Sequence, residues 1–277
     1  MMHSVEFTRN FVELTNSQQY TLSIRVTSGG FCFCVLDNTS RQFIFFKNKA
    51  FDSLNTSEIE QLINADLIFN YPYKKIIITY GGQSYSLMPY ELFDANKATE
   101  ILSFNQSLQT GETVKHEQVL KTNIINIYSI PENLLQFLSR KFPDASILHQ
   151  STVLISDAIR QSQEQQAKQL HIDVHADFFY ATIVDNGNLI LSNSFTYENT
   201  AEFAYFVLNL FSKFDLNQDE THLFFSGNIS KTGDEVDMLK NYIGKIIFAE
   251  VSGYSFIPQF QELPHHELSK LFASCEL

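Results

Sequence analysis

Cysteine, basic residues and long apolar runs are all scarce in this chain, and each shortage narrows what it can be. Its three cysteines are Cys32, Cys34 and Cys275. That odd number indicates neither a disulfide framework nor a zinc site. Lysine and arginine total 19 against 31 acidic residues, a formal charge of −12, and no basic cluster is present. Phosphate backbones and anionic membranes are poor partners for such a surface, so nucleic-acid binding is disfavoured. No apolar run approaches the ~20 residues that span a bilayer. The opening MMHSVEFTRNF lacks the basic start and apolar block of a signal peptide. These shortages set the expectation of a cytoplasmic protein without a membrane partner.

What the chain does have is core material and a repeat. Its 277 residues, 44% hydrophobic and including 26 phenylalanines, suffice for two ordinary domains or one large divided one. Residues 22–38, LSIRVTSGGFCFCVLDN, align without gaps on residues 170–186, LHIDVHADFFYATIVDN, at an offset of 148. Leu, Ile, Val, Phe, Asp and Asn coincide, and the shared positions carry the alternation of strands. Asp37-Asn38 and Asp185-Asn186 are turn-forming pairs, and Asn186-Gly187 is a strong hairpin signal. A third strand follows each hairpin (42–46 and 188–195). Each unit then enters a helix through Asn with Glu three residues on, Asn55 with Glu58 and Asn199 with Glu202. Phe203, Phe206, Val207, Leu210, Phe211 and Phe214 form a one-sided stripe on the second helix, which is core material. The strands KIIITYGG (75–82) and HLFFSGN (222–228) close the two β-β-β-α-β units in glycine turns.

Between the units, residues 84–105 read as a strand and a helix opened by Pro89, and residues 106–118 as the most loop-like stretch. Residues 123–142 read as a strand and then a helix near Pro131. A short strand (ASILHQ) and a long helix over 151–169 lead to the second unit. The strand 245–251 and a short helix in PHHELSKLFASCEL end the chain.

Two such units joined by a helix resemble the actin-like ATPase fold, a duplicated ribonuclease H-like architecture. SLMPYELFDANKATEILSFN, IYSIPENLLQFLSRKFP and PHHELSKLFASC resemble an uncharacterised bacterial family of that fold. The resemblance implies ATP binding between two lobes, at the carboxyl ends of parallel strands. Such a site needs glycine-rich hairpins against the phosphates and an Asp beside each hairpin to help hold the metal. Here Ser28-Gly29-Gly30 form a permissive first hairpin, but Arg25 stands where the superfamily has its Asp. The second unit keeps Asp173 yet fills its hairpin with His175, Ala176 and Asp177. Gly227 matches the start of the adenosine-contacting turn, whose second glycine is Asn228.

His171, Asp173 and His175 alternate along a strand, and two His two apart can share zinc, with His222 on the neighbouring strand as a further candidate. The competing reading is a cleft-facing polar edge, with His175 in the turn. His265-His266 reads as exposed helix-capping sequence. Asp173 and Glu202 are too few carboxylates for a two-metal nuclease, and Cys32 and Cys34 have no nearby His to activate them.

The resulting expectation is an α/β protein of two ribonuclease H-like lobes, with mixed sheets flanked by helices. Residues 1–150 form the first lobe with its inserted strand and helix, 151–169 the connecting helix, and 170–277 the second lobe, whose last helix packs back on the first. The nucleotide cleft is assigned to Arg25, Ser28, Gly29, Gly30, Asp173, His175, Asp177 and Gly227. No cofactor or metal is expected, and the role is non-catalytic binding or scaffolding through a protein partner or self-association. The alternative is an ATP-binding enzyme using magnesium in the same cleft.

Overall fold

The computed structural model describes residues 5–8, 14–120, 122–260 and 263–277. Most of the N-terminal stretch read above for a targeting signal lies outside the described residues. The strands are β1 (Val5–Thr8), β2 (Tyr20–Thr27), β3 (Gly30–Asp37), β4 (Gln42–Ala50), β5 (Lys75–Gly81), β6 (Tyr85–Pro89), β7 (Glu112–Gln118) and β8 (Ile124–Pro131). They continue with β9 (Ser146–His149), β10 (Lys168–Val174), β11 (Phe178–Asp185), β12 (Asn188–Thr196), β13 (His222–Gly227), β14 (Ile246–Phe248) and β15 (Ser255–Phe256). The helices are α1 (Thr56–Ala65), α2 (Ala98–Asn105), α3 (Glu132–Lys141), α4 (Gln150–Gln165), α5 (Thr200–Lys213), α6 (Asp234–Leu239) and α7 (His265–Ser274).

Two mixed sheets repeat one plan. The first runs β1-β4-β3-β2-β5-β9 with β15 added on β4, and the second runs β12-β11-β10-β13-β14. In each, an antiparallel meander gives way to two parallel strands, β5 and β9 or β13 and β14. The register repeats as well. Leu22 pairs with Ile76 as Leu170 pairs with Leu223, and the meander is bulged between Val35 and Leu36 in one sheet and between Ile183 and Val184 in the other. The two bulges are separated by the same offset as the sequence repeat.

Alternation decides what each face covers. Leu22, Ile24, Val26, Phe31, Phe33 and Val35 build one core with the buried faces of α1 and α3. Leu170, Ile172, Val174, Phe179, Ala181 and Ile183 build another against α5 and α6. Both helices that follow the meanders are capped as their sequences direct: Asn55 Oδ1 accepts the Glu58 N–H at 3.2 Å, and Asn199 Oδ1 accepts that of Glu202 at 3.0 Å. In the second hairpin Asn186 and Gly187 both take positive φ, 46° and 81°, as a two-residue turn of matching twist requires.

Helices α4 and α7 lie against the remaining faces and contact both sheets. The polar face of β10 is therefore an interior surface. Gln169, His171 and Asp173 are buried, which corrects the reading of a cleft-facing polar edge.

The stretch between the units departs from the sequence reading in three places. Pro89 ends β6 and opens a short 3-10 turn at Tyr90–Leu92, while α2 begins only at Ala98. The loop-like stretch contains β7, whose outward side chains are polar because it is an edge of the three-stranded sheet β6-β8-β7. Helix α4 stops at Gln166 in a left-handed cap with φ 52°, so Lys168 and Gln169 already belong to β10.

Candidate functional site

A cleft of about 660 Å³ opens at the carboxyl ends of β2, β10 and β13, between the two meander hairpins. Seven of the eight residues assigned from sequence line it: Arg25, Ser28, Gly29, Gly30, His175, Asp177 and Gly227. The eighth, Asp173, lies beneath its floor and is fully buried.

Asp173 is sealed by three side chains. Ser226 donates to Oδ1 at 2.6 Å, Gln150 Nε2 donates to Oδ2 at 2.5 Å, and His175 Nε2 lies 3.3 Å from the same Oδ2. Burial pushes this carboxyl up, but His175 and Ser226 outweigh it and hold the group below its ordinary range. Both oxygens are thus occupied. Gln150, the first residue of α4, was not singled out from sequence because its contact with Asp173 spans two elements.

The second hairpin is a packed structure. The His175 ring stacks on Phe178 at 4.4 Å and 6°. Its backbone N–H donates to Phe178 O, and its carbonyl accepts from Tyr197 Oη at 3.1 Å. Gly227 serves the backbone: its φ is +82°, and a Cβ there would collide with the main chain of Val174. Asn228 N–H donates to Val174 O at 2.7 Å in the same close approach. Across the cleft the first hairpin is open at Gly29, where a Cβ would meet nothing, and tight at Gly30 against Lys49 O.

Arg25 lines the cleft. Its Nη1 donates to Glu267 O at 3.1 Å, and among the described residues it has no ion pair within 4.0 Å. Burial would lower its pKa, but Cys32, Asp173 and Glu267 outweigh that and raise it. The guanidinium stays charged.

The other candidates are structural. His171 stacks on Phe224 at 4.7 Å and bonds Gln169, while His222 sits at the far end of the strand pair, opposite Gln169. No group of three or more metal-ligating side chains occurs among the described residues. His266 corrects the exposed-cap reading: it is buried, with Nε2 2.8 Å from Ile229 O and its ring edge-on to Phe248. Glu202 is engaged at its own helix start, accepting the Glu198 N–H at 2.9 Å. All three cysteines are free and buried.

Residues 9–246 match the family described as protein of unknown function (DUF3822). The chain belongs to this family. Among solved structures, a Bacteroides thetaiotaomicron protein with actin-like ATPase fold and unknown function superposes with a TM-score of 0.79 at 24% identity, covering 95% of this chain and 99% of that one. The PilM-PilN type IV pilus biogenesis complex superposes with a TM-score of 0.62 at 8% identity, covering 92% and 98%. No curated protein matches the chain. The DUF3822 chain therefore has the actin-like ATPase fold, as its repeated strand order suggested. Among the described residues no helix is long and apolar enough to cross a membrane.

Proposed function

We propose that this DUF3822 protein is a cytosolic, non-catalytic binding or scaffolding protein whose nucleotide site has been filled by side chains. The observation that carries the reading is the state of Asp173. A carboxylate that helps hold a metal needs a free oxygen facing the ligand, and Ser226, Gln150 and His175 already occupy both oxygens of this one. Its counterpart in the first hairpin is Arg25, a cation that would repel a metal. Asp177 on the cleft wall disfavours a triphosphate further: an uncompensated carboxylate ~4 Å from a phosphate charge costs about 4 kcal/mol at an effective dielectric near 20.

The repeated sheets support an origin by internal duplication, with lobes at residues 1–150 and 170–277 and α4 between them. The likeness to a protein solved in a pilus biogenesis complex supports a role exercised through a protein partner or through self-association.

A second reading, an ATP-binding enzyme using magnesium, draws on one observation: the cleft is still open beside Ser28, Gly29 and Gly30. Calorimetric titration with ATP and magnesium separates the two. The proposed role predicts no saturable heat; micromolar binding that disappears in Asp173→Ala would overturn it.

A further inference from the structure

Strand β7 leaves one edge of the small sheet bare. It is an outer strand of β6-β8-β7 and pairs with β8 alone. At its two ends the Glu132 N–H donates to Gly111 O and the Val119 N–H donates to Ile124 O, so the odd-numbered residues of this stretch bond inward to β8. The even-numbered ones alternate with them. Val114, His116 and Gln118 therefore turn their N–H and C=O groups away from the sheet, and among the described residues those groups have no backbone partner.

A bare edge is a template for another strand, and folded proteins blunt or cover such edges. The other edges of this molecule show how. Strand β6 ends in Pro89. Strand β12 is bulged, and Ser192 and Ser194 tie it to Tyr85 and Gln83. On β9, Ile147 O accepts from Tyr128 Oη at 3.3 Å, and β14 has only three residues. Strand β7 runs for seven residues without proline, and no bulge interrupts its pairing with β8. Charge is the one blunting device it carries, and the charges are of both signs.

Their order fits β7 to a second copy of itself. An antiparallel ladder through the outward groups, centred on His116, sets Val114 against Gln118 of the second copy in hydrogen-bonded pairs. It also sets Lys115 against Glu117 of the second copy, twice, in the closer pairs between them. Sliding the strands by two residues puts Lys115 against Lys115 in one direction and Glu117 against Glu117 in the other. Opposite charges directly across a ladder stabilise it and like charges destabilise it, so one register is selected. Among the described residues neither Lys115 nor Glu117 has an ion-pair partner within 4.0 Å. Glu117 accepts the His149 N–H at 2.8 Å and Tyr128 Oη at 3.3 Å, and a lysine from the second copy would add the missing cation.

We propose that the chain self-associates through β7, two copies joining their three-stranded sheets into one continuous antiparallel sheet about a two-fold axis at His116. This rests on the reading of self-association and gives it a place and a register. Each copy offers one such edge, so association stops at the dimer.

The test is sedimentation of the full chain from about 1 to about 500 µM, a range suited to the small, transient interface that one strand edge makes. Wild type should pass from monomer to dimer across it. His116→Pro removes an outward N–H at an edge position where proline is tolerated; it should weaken dimerisation at least tenfold and leave circular dichroism unchanged. Lys115→Glu sets acid against acid and should weaken it at least tenfold as well, while Lys115→Arg should preserve it. If His116→Pro fails to fold, the two Lys115 variants decide. A dimer indifferent to Lys115→Glu, or to a folded His116→Pro, would overturn the β7 pairing and leave self-association standing. A chain that stays monomeric throughout would overturn both. Neither outcome bears on the filled nucleotide site, which the titration with ATP and magnesium decides.

Discussion

Arg25 and Asp173 occupy corresponding places in two hairpins of matching register. Arg25 faces Cys32 across β2 and β3, and Asp173 faces Tyr180 across β10 and β11. Each lies one or two residues from the end of its strand, and their charges are opposite.

Gly227 and Gly29 make a matched pair for stability. At Gly227 the backbone has φ +82° and a Cβ would strike Val174, so Gly227→Ala should lose about 3 kcal/mol or more. At Gly29 nothing lies within 4 Å of an added methyl group, and Gly29→Ala should change stability by less than about 0.5 kcal/mol. Urea denaturation of both variants checks the contrast; equal losses would mean that the close approach at Gly227 is not what the residue is for.

Glu117 should make stability depend on pH. Burial pushes its carboxyl up to about 7, only partly offset by hydrogen bonds from Thr152, the His149 N–H and Tyr128. A raised folded pKa favours the protonated form, so its contribution is full below about pH 4.5 and is lost as pH rises through 7. Wild type should lose about 3 kcal/mol relative to Glu117→Gln across that window. Buried His149 and His171, both lowered to about 3, act oppositely: their stabilisation is present above pH 6.5 and fades as pH falls. They are common to both proteins, so denaturation of the pair at several pH values isolates Glu117.

Lys270 and Asp157 form a buried ion pair of 2.6 Å between α7 and α4. Arg160 also reaches Asp157 at 2.6 Å. Lys270→Met leaves the carboxylate short of one partner and should cost about 3 kcal/mol. The double variant Lys270→Met with Asp157→Leu should cost less than the two single changes added together. A double-mutant cycle measured by chemical denaturation reads the coupling directly.

Asn199 caps α5, the helix that buries Phe203, Val207, Leu210 and Phe211. Asn199→Ala should lower stability by about 1 kcal/mol, and Asn199→Asp should restore most of it. Thermal denaturation of the two variants distinguishes a lost cap from a merely altered surface.

The repeat was legible because hairpins write themselves locally. Alternation in Leu22–Asn38 and Leu170–Asn186, the turn pairs and the two Asn caps all act over a few residues, and together they yielded the two β-β-β-α-β units. Strand β7 escaped because an edge strand with half-exposed side chains, ETVKHEQ, carries almost no apolar period. The sealing of Asp173 was not legible in the sequence. Gln150 and Ser226 reach it from other elements, 23 and 53 residues away in sequence. His266 was misread for the same reason, since its partner Ile229 lies 37 residues earlier.

Helix α7 has a mechanical consequence. Ser274 Oγ meets Ser23 at 2.6 Å on β2, Glu267 O receives Arg25, Lys270 reaches α4, and His266 touches the turn after β13. One ten-residue segment thus cross-braces both halves of the molecule from inside. Rocking of the first sheet against α7 would have to break the interior Ser274–Ser23 hydroxyl contact and the Arg25 bond to Glu267 O together.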